Sequence, residues 1–234
     1  MDWKALSDAY PEEKDTIRAA RLMRERMEAE TARMDVPRIE RTCRDMDDLS
    51  EFAPLIAGAC TSVWKDVTGK APAFDMAEAL ATIAKGETRF DLDENDTQRL
   101  LAVARLAYSL LVKRLRERHP HLVPSSWSSG DCPFCGEQAR IGFDDEDRRT
   151  LECVVCGHSW RFPRLTCPFC LNNDHTSLGY FEAEGLQGVR VYFCRKCSHY
   201  VKIVDRRKRP SRDAETEDSI TLELDHLAQR EGFS

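Results

Sequence analysis

The chain has 234 residues, 35 basic against 41 acidic side chains, a formal net charge of -6 and ten cysteines. That length holds one or two domains, and 41% hydrophobic with 32% charged residues fits a globular fold and argues against wholesale disorder. The mild acidity gives no general reason to expect nucleic acid as a partner, and the longest apolar runs, such as Ala102 to Leu111 with Arg105 inside it, are too short to span a membrane.

The opening, Met1-Asp2-Trp3-Lys4, has no basic segment followed by an apolar core, so no secretory signal is readable and a cytoplasmic location is expected. There disulfides are rare, and grouped cysteines more often bind metal. Up to about residue 120 the pattern is helical. Pro11 and the acidic residues after it suit a first helical turn, and a helix running to about Met34 would carry Ile17, Ala20, Met23 and Met27 on one stripe. A second is expected over Met46 to Ala59, starting late or kinked at Pro54. Asp75 reads as an N-cap and Gly86 as the stop of a third. The strongest spans Asp96 to Arg118, with a wide apolar face and a basic last turn, and Pro120 ends it. The turn-rich stretch Pro120 to Gly130 reads equally as a linker or as an ordered loop.

Eight of the ten cysteines then fall between Cys132 and Cys197 as four Cys-x-x-Cys pairs: Cys132/Cys135, Cys153/Cys156, Cys167/Cys170 and Cys194/Cys197. The tetrapeptide Cys-Pro-Phe-Cys occurs twice, at 132 and 167. Such a knuckle turns the chain tightly enough for both sulfurs to face one ion, and two knuckles make a tetrahedral four-sulfur site. The 17 residues between Cys135 and Cys153, and the 23 between Cys170 and Cys194, are enough for a hairpin that brings the second knuckle back. Strands are expected over 140–143, 150–152, 176–181 and 189–193. Gly136 and Gly157 follow their knuckles and permit backbone conformations that other residues resist. A thioredoxin-like centre would need one pair near a strand-helix unit, not four. Sequential pairing fits ribbon spacings better than a cross-brace of alternate pairs: Cys132, Cys135, Cys153 and Cys156 for one ion, Cys167, Cys170, Cys194 and Cys197 for another. Four thiolates suit both zinc and iron and leave no open coordination position.

His158 and His199 read as groups beside the sites rather than ligands, and His119 and His121 as solvated. Trp160 and Tyr200 read as packing over the metal sites. The run Lys202 to Arg209 carries five basic residues and reads as a solvated linker or partner surface, with the acidic stretch Asp213 to Asp218 in reach of it. Leu222, Leu224, Leu227 and Ala228 suggest a closing helix ending near Gly232.

In order, Cys132-x2-Cys135, Cys153-Val-Val-Cys156-Gly-His-Ser-Trp160, Arg164-Leu-Thr-Cys167-x2-Cys170 and Cys194-x2-Cys197-Ser-His-Tyr200-Val-Lys202 resemble the FdhE family of formate dehydrogenase accessory proteins. The ending Asp225-His-Leu-Ala-Gln-Arg-Glu-Gly-Phe233 is similar too. The match covers about Cys132 to Phe233, and the helical half agrees in character only. The resemblance implies a cytoplasmic, chaperone-like maturation factor. Its client would be the catalytic subunit of a molybdenum or tungsten formate dehydrogenase, and its rubredoxin-like sites map onto the eight cysteines. No Ser-His-Asp set, phosphate loop or paired acid/base constellation argues for an enzyme.

The expected fold is thus α+β: a helical domain (1–120), a first four-cysteine ribbon (131–164), a second (165–209) and a C-terminal helix (213–232). The expected cofactors are two metal ions, iron or zinc, one in each four-cysteine site. A rubredoxin-like electron-transfer protein and a nucleic-acid-binding zinc-ribbon protein are the alternative readings.

Overall fold

A computed structural model describes residues 1–45, 49–209 and 212–234. It divides into two compact units, one of residues 13–122, the other of residues 1–12 together with 123–234.

The first unit is helical: α2 (Lys14–Thr31), α3 (Ala53–Thr68), α4 (Met76–Ala84) and α5 (Glu94–Arg118). α1 (Trp3–Ala9) belongs to the other unit. Helix α5 begins where the Asp93 carboxylate accepts from the backbone N–H of Asp96, and it ends with Arg116 and Arg118 in its last turn, as the helix dipole favours. Its buried stripe, from Leu100 and Leu101 through Ala104, Ala107 and Leu111 to Leu115, packs against α2 and α3. Pro54 does not kink α3, because it sits in the first turn, where its missing N–H leaves no bond unmade. Positions 46–48 of the expected second helix lie outside the described residues. Asp75 caps α4 as its spacing predicts. His119 departs from expectation: it is 4% exposed, with Nε2 3.1 Å from the Pro37 carbonyl, so it is a packed group and not a solvated one.

The second unit is built on one six-stranded sheet. Its strands are β1 (Ile141–Asp144), β2 (Arg149–Glu152), β3 (Ser159–Arg161), β4 (Leu178–Phe181), β5 (Val189–Cys194) and β6 (His199–Asp205). Their order is β3-β2-β1-β6-β5-β4. Every neighbouring pair is antiparallel except β1 and β6, which run parallel with Ile141 opposite Lys202 and Phe143 opposite Val204. Two antiparallel ribbons are therefore fused edge to edge, and the seam hides one edge of each.

The period-2 alternation of the strands gives the sheet two faces. On one, Ile141, Phe143, Val189, Val191 and Val204 form a buried cluster with Ala214, Leu224 and Ala228. The last three come from α6 (Ala214–Ser219) and α7 (Leu222–Arg230). Helix α1 joins them: the Asp2 N–H donates to Thr216 Oγ1 at 2.7 Å, and Tyr10 OH donates to the Ser219 carbonyl at 3.0 Å.

The basic run after Tyr200 is not a linker. Lys202 lies in β6 at 0% exposure, with Nζ 2.8 Å from Asp218 Oδ1, 3.0 Å from the Asp218 carbonyl and 2.7 Å from Asp225 Oδ2. Arg206 reaches Glu152 and stacks on Phe143, Arg207 pairs with Asp205, and Arg209 pairs with buried Glu217. Of these charges Lys202 and Arg209 clamp this segment to the C-terminal helices, Arg206 ties it to β2, and Arg207 and Lys208 stay exposed.

The stretch 123–130 is an ordered loop. Trp127 Nε1 donates to the Asp131 carbonyl at 2.7 Å, and the Gly130 N–H to the Pro168 carbonyl at 3.0 Å. A Cβ on Gly130 would overlap that carbonyl, so glycine is required where the two Cys-Pro-Phe-Cys segments approach.

Candidate metal centres

The four knuckles fold alike. In each, the N–H of the residue after the second cysteine donates back to the carbonyl of the first: Gly136 to Cys132 and Gly157 to Cys153 at 2.9 Å, Leu171 to Cys167 at 3.0 Å, Ser198 to Cys194 at 2.8 Å. That donor residue has a left-handed backbone every time, with φ of 79° at Gly136, 68° at Gly157, 56° at Leu171 and 60° at Ser198. Glycine takes this conformation freely, whereas leucine and serine are strained in it by about 1–2 kcal/mol. The glycines advertise the turn in the sequence, and Leu171 and Ser198 conceal it.

Knuckle 132–135 precedes β1 and knuckle 153–156 joins β2 to β3, so the first hairpin brings them together. Knuckle 167–170 precedes β4 and knuckle 194–197 joins β5 to β6, and the second hairpin does the same. The sulfurs gather as Cys132, Cys135, Cys153, Cys156 and as Cys167, Cys170, Cys194, Cys197, each four within 4.8 Å of one another. Within the first, Cys132 and Cys156 Sγ are 3.5 Å apart, Cys135 and Cys153 3.4 Å, Cys135 and Cys156 3.7 Å. Within the second, Cys167 and Cys197 are 3.6 Å apart, Cys170 and Cys194 3.8 Å. A tetrahedron of sulfurs about 2.3 Å from a central ion has edges of about 3.8 Å, so both sets can hold one. All ten cysteines are free of disulfides.

Their electrostatics agree with that donor chemistry. The sulfurs of Cys135, Cys153 and Cys156 hold the Cys132 thiol below its usual value, while the Cys132 sulfur pushes Cys135 and Cys156 up. The Cys132 sulfur opposes ionisation of Cys153, but those of Cys135 and Cys156 bring it below its usual value too, so two thiols ionise at the expense of the other two, and four thiolates together require a cation among them. In the second set burial pushes Cys167 up. Burial also opposes ionisation of Cys194, but the backbone N–H groups of Cys197 and Lys196 bring that thiol down to about 7.

Around the first site Phe134 is fully buried, and Trp160 is buried with its indole Nε1 donating to the Ser129 carbonyl at 3.1 Å. Trp160 thus packs as its place in the sequence suggests. Around the second, Asn172 Nδ2 approaches Cys194 Sγ at 3.8 Å and bonds Ser177 Oγ, a contact no spacing rule flags. Neither four-sulfur set includes a histidine; His199 Nδ1 lies 2.7 Å from the Cys197 carbonyl and His158 stacks on Trp160. Tyr200 lies on the face under the helices, with its hydroxyl on Asp225 at 2.9 Å. Cys43 and Cys60 are buried in the helical unit, where burial pushes the Cys60 thiol up to about 12 and leaves it inert. The first site has one half-buried cysteine, Cys135, and the second has two, Cys170 and Cys197. No helix among the described residues is long and apolar enough to cross a membrane.

Residues 165–234 match the model of the FdhE C-terminal domain. An FdhE homolog of Aquifex aeolicus is 36% identical over 112 residues, which are 46% of this chain and 40% of that one. An FdhE homolog of an Enterobacter species is 25% identical over 194 residues, 80% of this chain and 60% of that one. The chain therefore aligns with about half the length of these curated relatives. The crystal structure of the FdhE protein from Pseudomonas aeruginosa shares the fold, with a TM-score of 0.63 over 99% of this chain and 91% of that one at 19% identity.

Proposed function

We propose that the chain, whose residues 165–234 match the FdhE C-terminal domain, belongs to the FdhE family and is an accessory factor in formate dehydrogenase maturation. On this reading it binds the catalytic subunit of a molybdenum or tungsten enzyme in the cytoplasm before that subunit is active. The observation that carries the proposal is the pair of four-sulfur clusters, the second of which lies in the segment that matches the FdhE C-terminal domain.

Cys132, Cys135, Cys153 and Cys156 would hold one ion, and Cys167, Cys170, Cys194 and Cys197 a second. A divalent ion at either place would pin its hairpin, and iron in particular would add one-electron exchange. A site saturated by four thiolates leaves no position for a substrate, which supports a binding role rather than catalysis at the metal. The Cys156 N–H, which donates to Cys153 Sγ at 3.4 Å, and Asn172 beside Cys194 stabilise negative charge on the sulfurs.

The test is capture of the purified, cofactor-free catalytic subunit by the metal-loaded chain under reducing and oxidising conditions. Association in at least one state is expected; none in either would overturn the assignment. A rubredoxin-like reading draws on the greater exposure of the second site. Anaerobic elemental analysis separates the two: one equivalent of zinc per site, without colour, removes the electron-transfer role.

A further inference from the structure

Helix α7 ends in a turn that sends the chain back onto the sheet. Gly232, with φ of 86°, donates its N–H to the Gln229 carbonyl at 3.0 Å, and Phe233 donates its own to the Ala228 carbonyl at 2.9 Å. This pair of bonds is the left-handed helix stop that glycine favours. The side chain of Phe233 therefore turns inward. It packs on the buried cluster shared by the sheet and the C-terminal helices, and its ring stacks on Phe193 with centroids 4.5 Å apart. The next residue, Ser234, donates its N–H to the Ser198 carbonyl at 2.8 Å.

Phe193 directly precedes Cys194 and Ser198 directly follows Cys197, so residues 233 and 234 touch both ends of one knuckle of the second site. Phe193 is confined from below as well, since it lies opposite Gly179 of β4, where any Cβ would run into its ring. Ser198 is one of the two non-glycine residues with a left-handed backbone. Such strain persists only where the surrounding structure over-determines it. In the first ribbon the same place belongs to Gly157, which adopts that backbone freely and around which a Cβ would meet nothing within 4 Å. The second site is also the more exposed, with Cys170 and Cys197 half-buried where the first has Cys135 alone. Its strained, exposed knuckle is thus the one that the end of the chain braces.

We propose that Phe233 and Ser234 are positioning residues for the second metal centre: they clamp knuckle 194–197 in the geometry its thiolates need and so set how fast an ion exchanges there. Lifting this segment off the sheet opens the second site while the first stays closed. The proposal goes beyond the maturation reading and rests only on the assignment of Cys167, Cys170, Cys194 and Cys197 to one ion.

The experiment loads the full chain with zinc and follows zinc release to an excess of a coloured chelator. The kinetic phase that Cys167→Ala lacks belongs to the second site. Phe233→Ala is expected to speed that phase about tenfold, and Ser234→Pro, which removes the N–H on the Ser198 carbonyl, about threefold, with the other phase changed far less. Phe233→Tyr, which keeps the ring, should release at the rate of the unaltered chain. Leu227→Ala trims an α7 side chain from the same cluster and is the control for lost packing, so it should leave the ratio of the two rates as it is. Should Phe233→Ala fail to fold, Ser234→Pro decides by the same ratio. Both phases speeded alike by the tail variants, or a ratio shifted as far by Leu227→Ala, would reduce the tail to ordinary core packing and overturn the proposal. A second phase that neither tail variant changes overturns it too. A zinc-loaded chain with no phase that Cys167→Ala removes takes down the site assignment and this proposal together, whereas the maturation reading stands or falls by capture of its client.

Discussion

At the scale of single residues, the four knuckles set up an internal comparison. Each asks one residue for a left-handed backbone, and two supply glycine while two supply leucine and serine. A Cβ at Gly157 meets nothing within 4 Å, so Gly157→Ala is charged only for the conformation, and we expect a loss of about 1–2 kcal/mol. Ser198→Gly removes strain but loosens the unfolded chain, and should gain up to about 1 kcal/mol. Guanidinium unfolding of the metal-loaded protein reads both, and equal signs would refute the account. Lys202 is the other telling residue. Its three donors meet three acceptors inside the unit, so Lys202→Ala strands Asp218 and Asp225 without their cation. A cost of about 3–5 kcal/mol is expected in the same assay.

At the scale of elements, the caps and dipoles of the helices do what their residues indicate, and α5 shows how tertiary contacts add to that. Asp96, in its first turn, is 6% exposed and meets Lys70 Nζ at 2.8 Å and Arg99 Nη1 at 2.9 Å. Those hydrogen bonds, Lys70 first, hold its carboxyl below its usual value. A carboxyl with a lower pKa folded than unfolded contributes stability above the unfolded value, about 3.9, and loses it as pH falls through the folded one. Asp96→Asn should therefore lower Tm near neutral pH, and the gap from the unaltered protein should narrow as pH falls from about 6 to about 3. A gap that stays constant would show that the charge of Asp96 is not what matters. Strand β6 teaches the converse. Its basic residues match a solvated run by composition, yet Lys202 and Val204 are buried under the C-terminal helices, and Val201 and Ile203 are buried on the opposite face of the sheet.

At the scale of the molecule, the shared sheet makes the ribbon unit one body with two metal sites. Replacing Cys132 or Cys167 by Ala should each remove one ion, while Cys43→Ala and Cys60→Ala should leave both, as elemental analysis can check. Because β1 pairs with β6 across the seam, loss of the ion near Cys132 should also speed removal of the other by a chelator. Chelation at an unchanged rate would mean the ribbons are energetically separate. The α1 segment belongs to this unit although its residues open the chain.

Much of this was legible in advance because metal sites and helix ends are local grammar. Cys-x-x-Cys spacing sets which sulfurs can converge, a capping aspartate needs only the next three residues, and an apolar stripe needs only its own helix. The grouping of eight sulfurs into two fours, and the helices of residues 13–122, follow from such short-range rules. Pairing across the seam is a different matter, since nothing in residues 141–144 names residues 202–205 as their parallel partners. Burial of Lys202 and His119, the left-handed turns at Leu171 and Ser198, and the stacking of Phe233 on Phe193 emerge only when distant segments meet. The reason is physical: a side chain's environment is set by what packs against it, and long-range packing leaves no mark in the spacing of nearby residues.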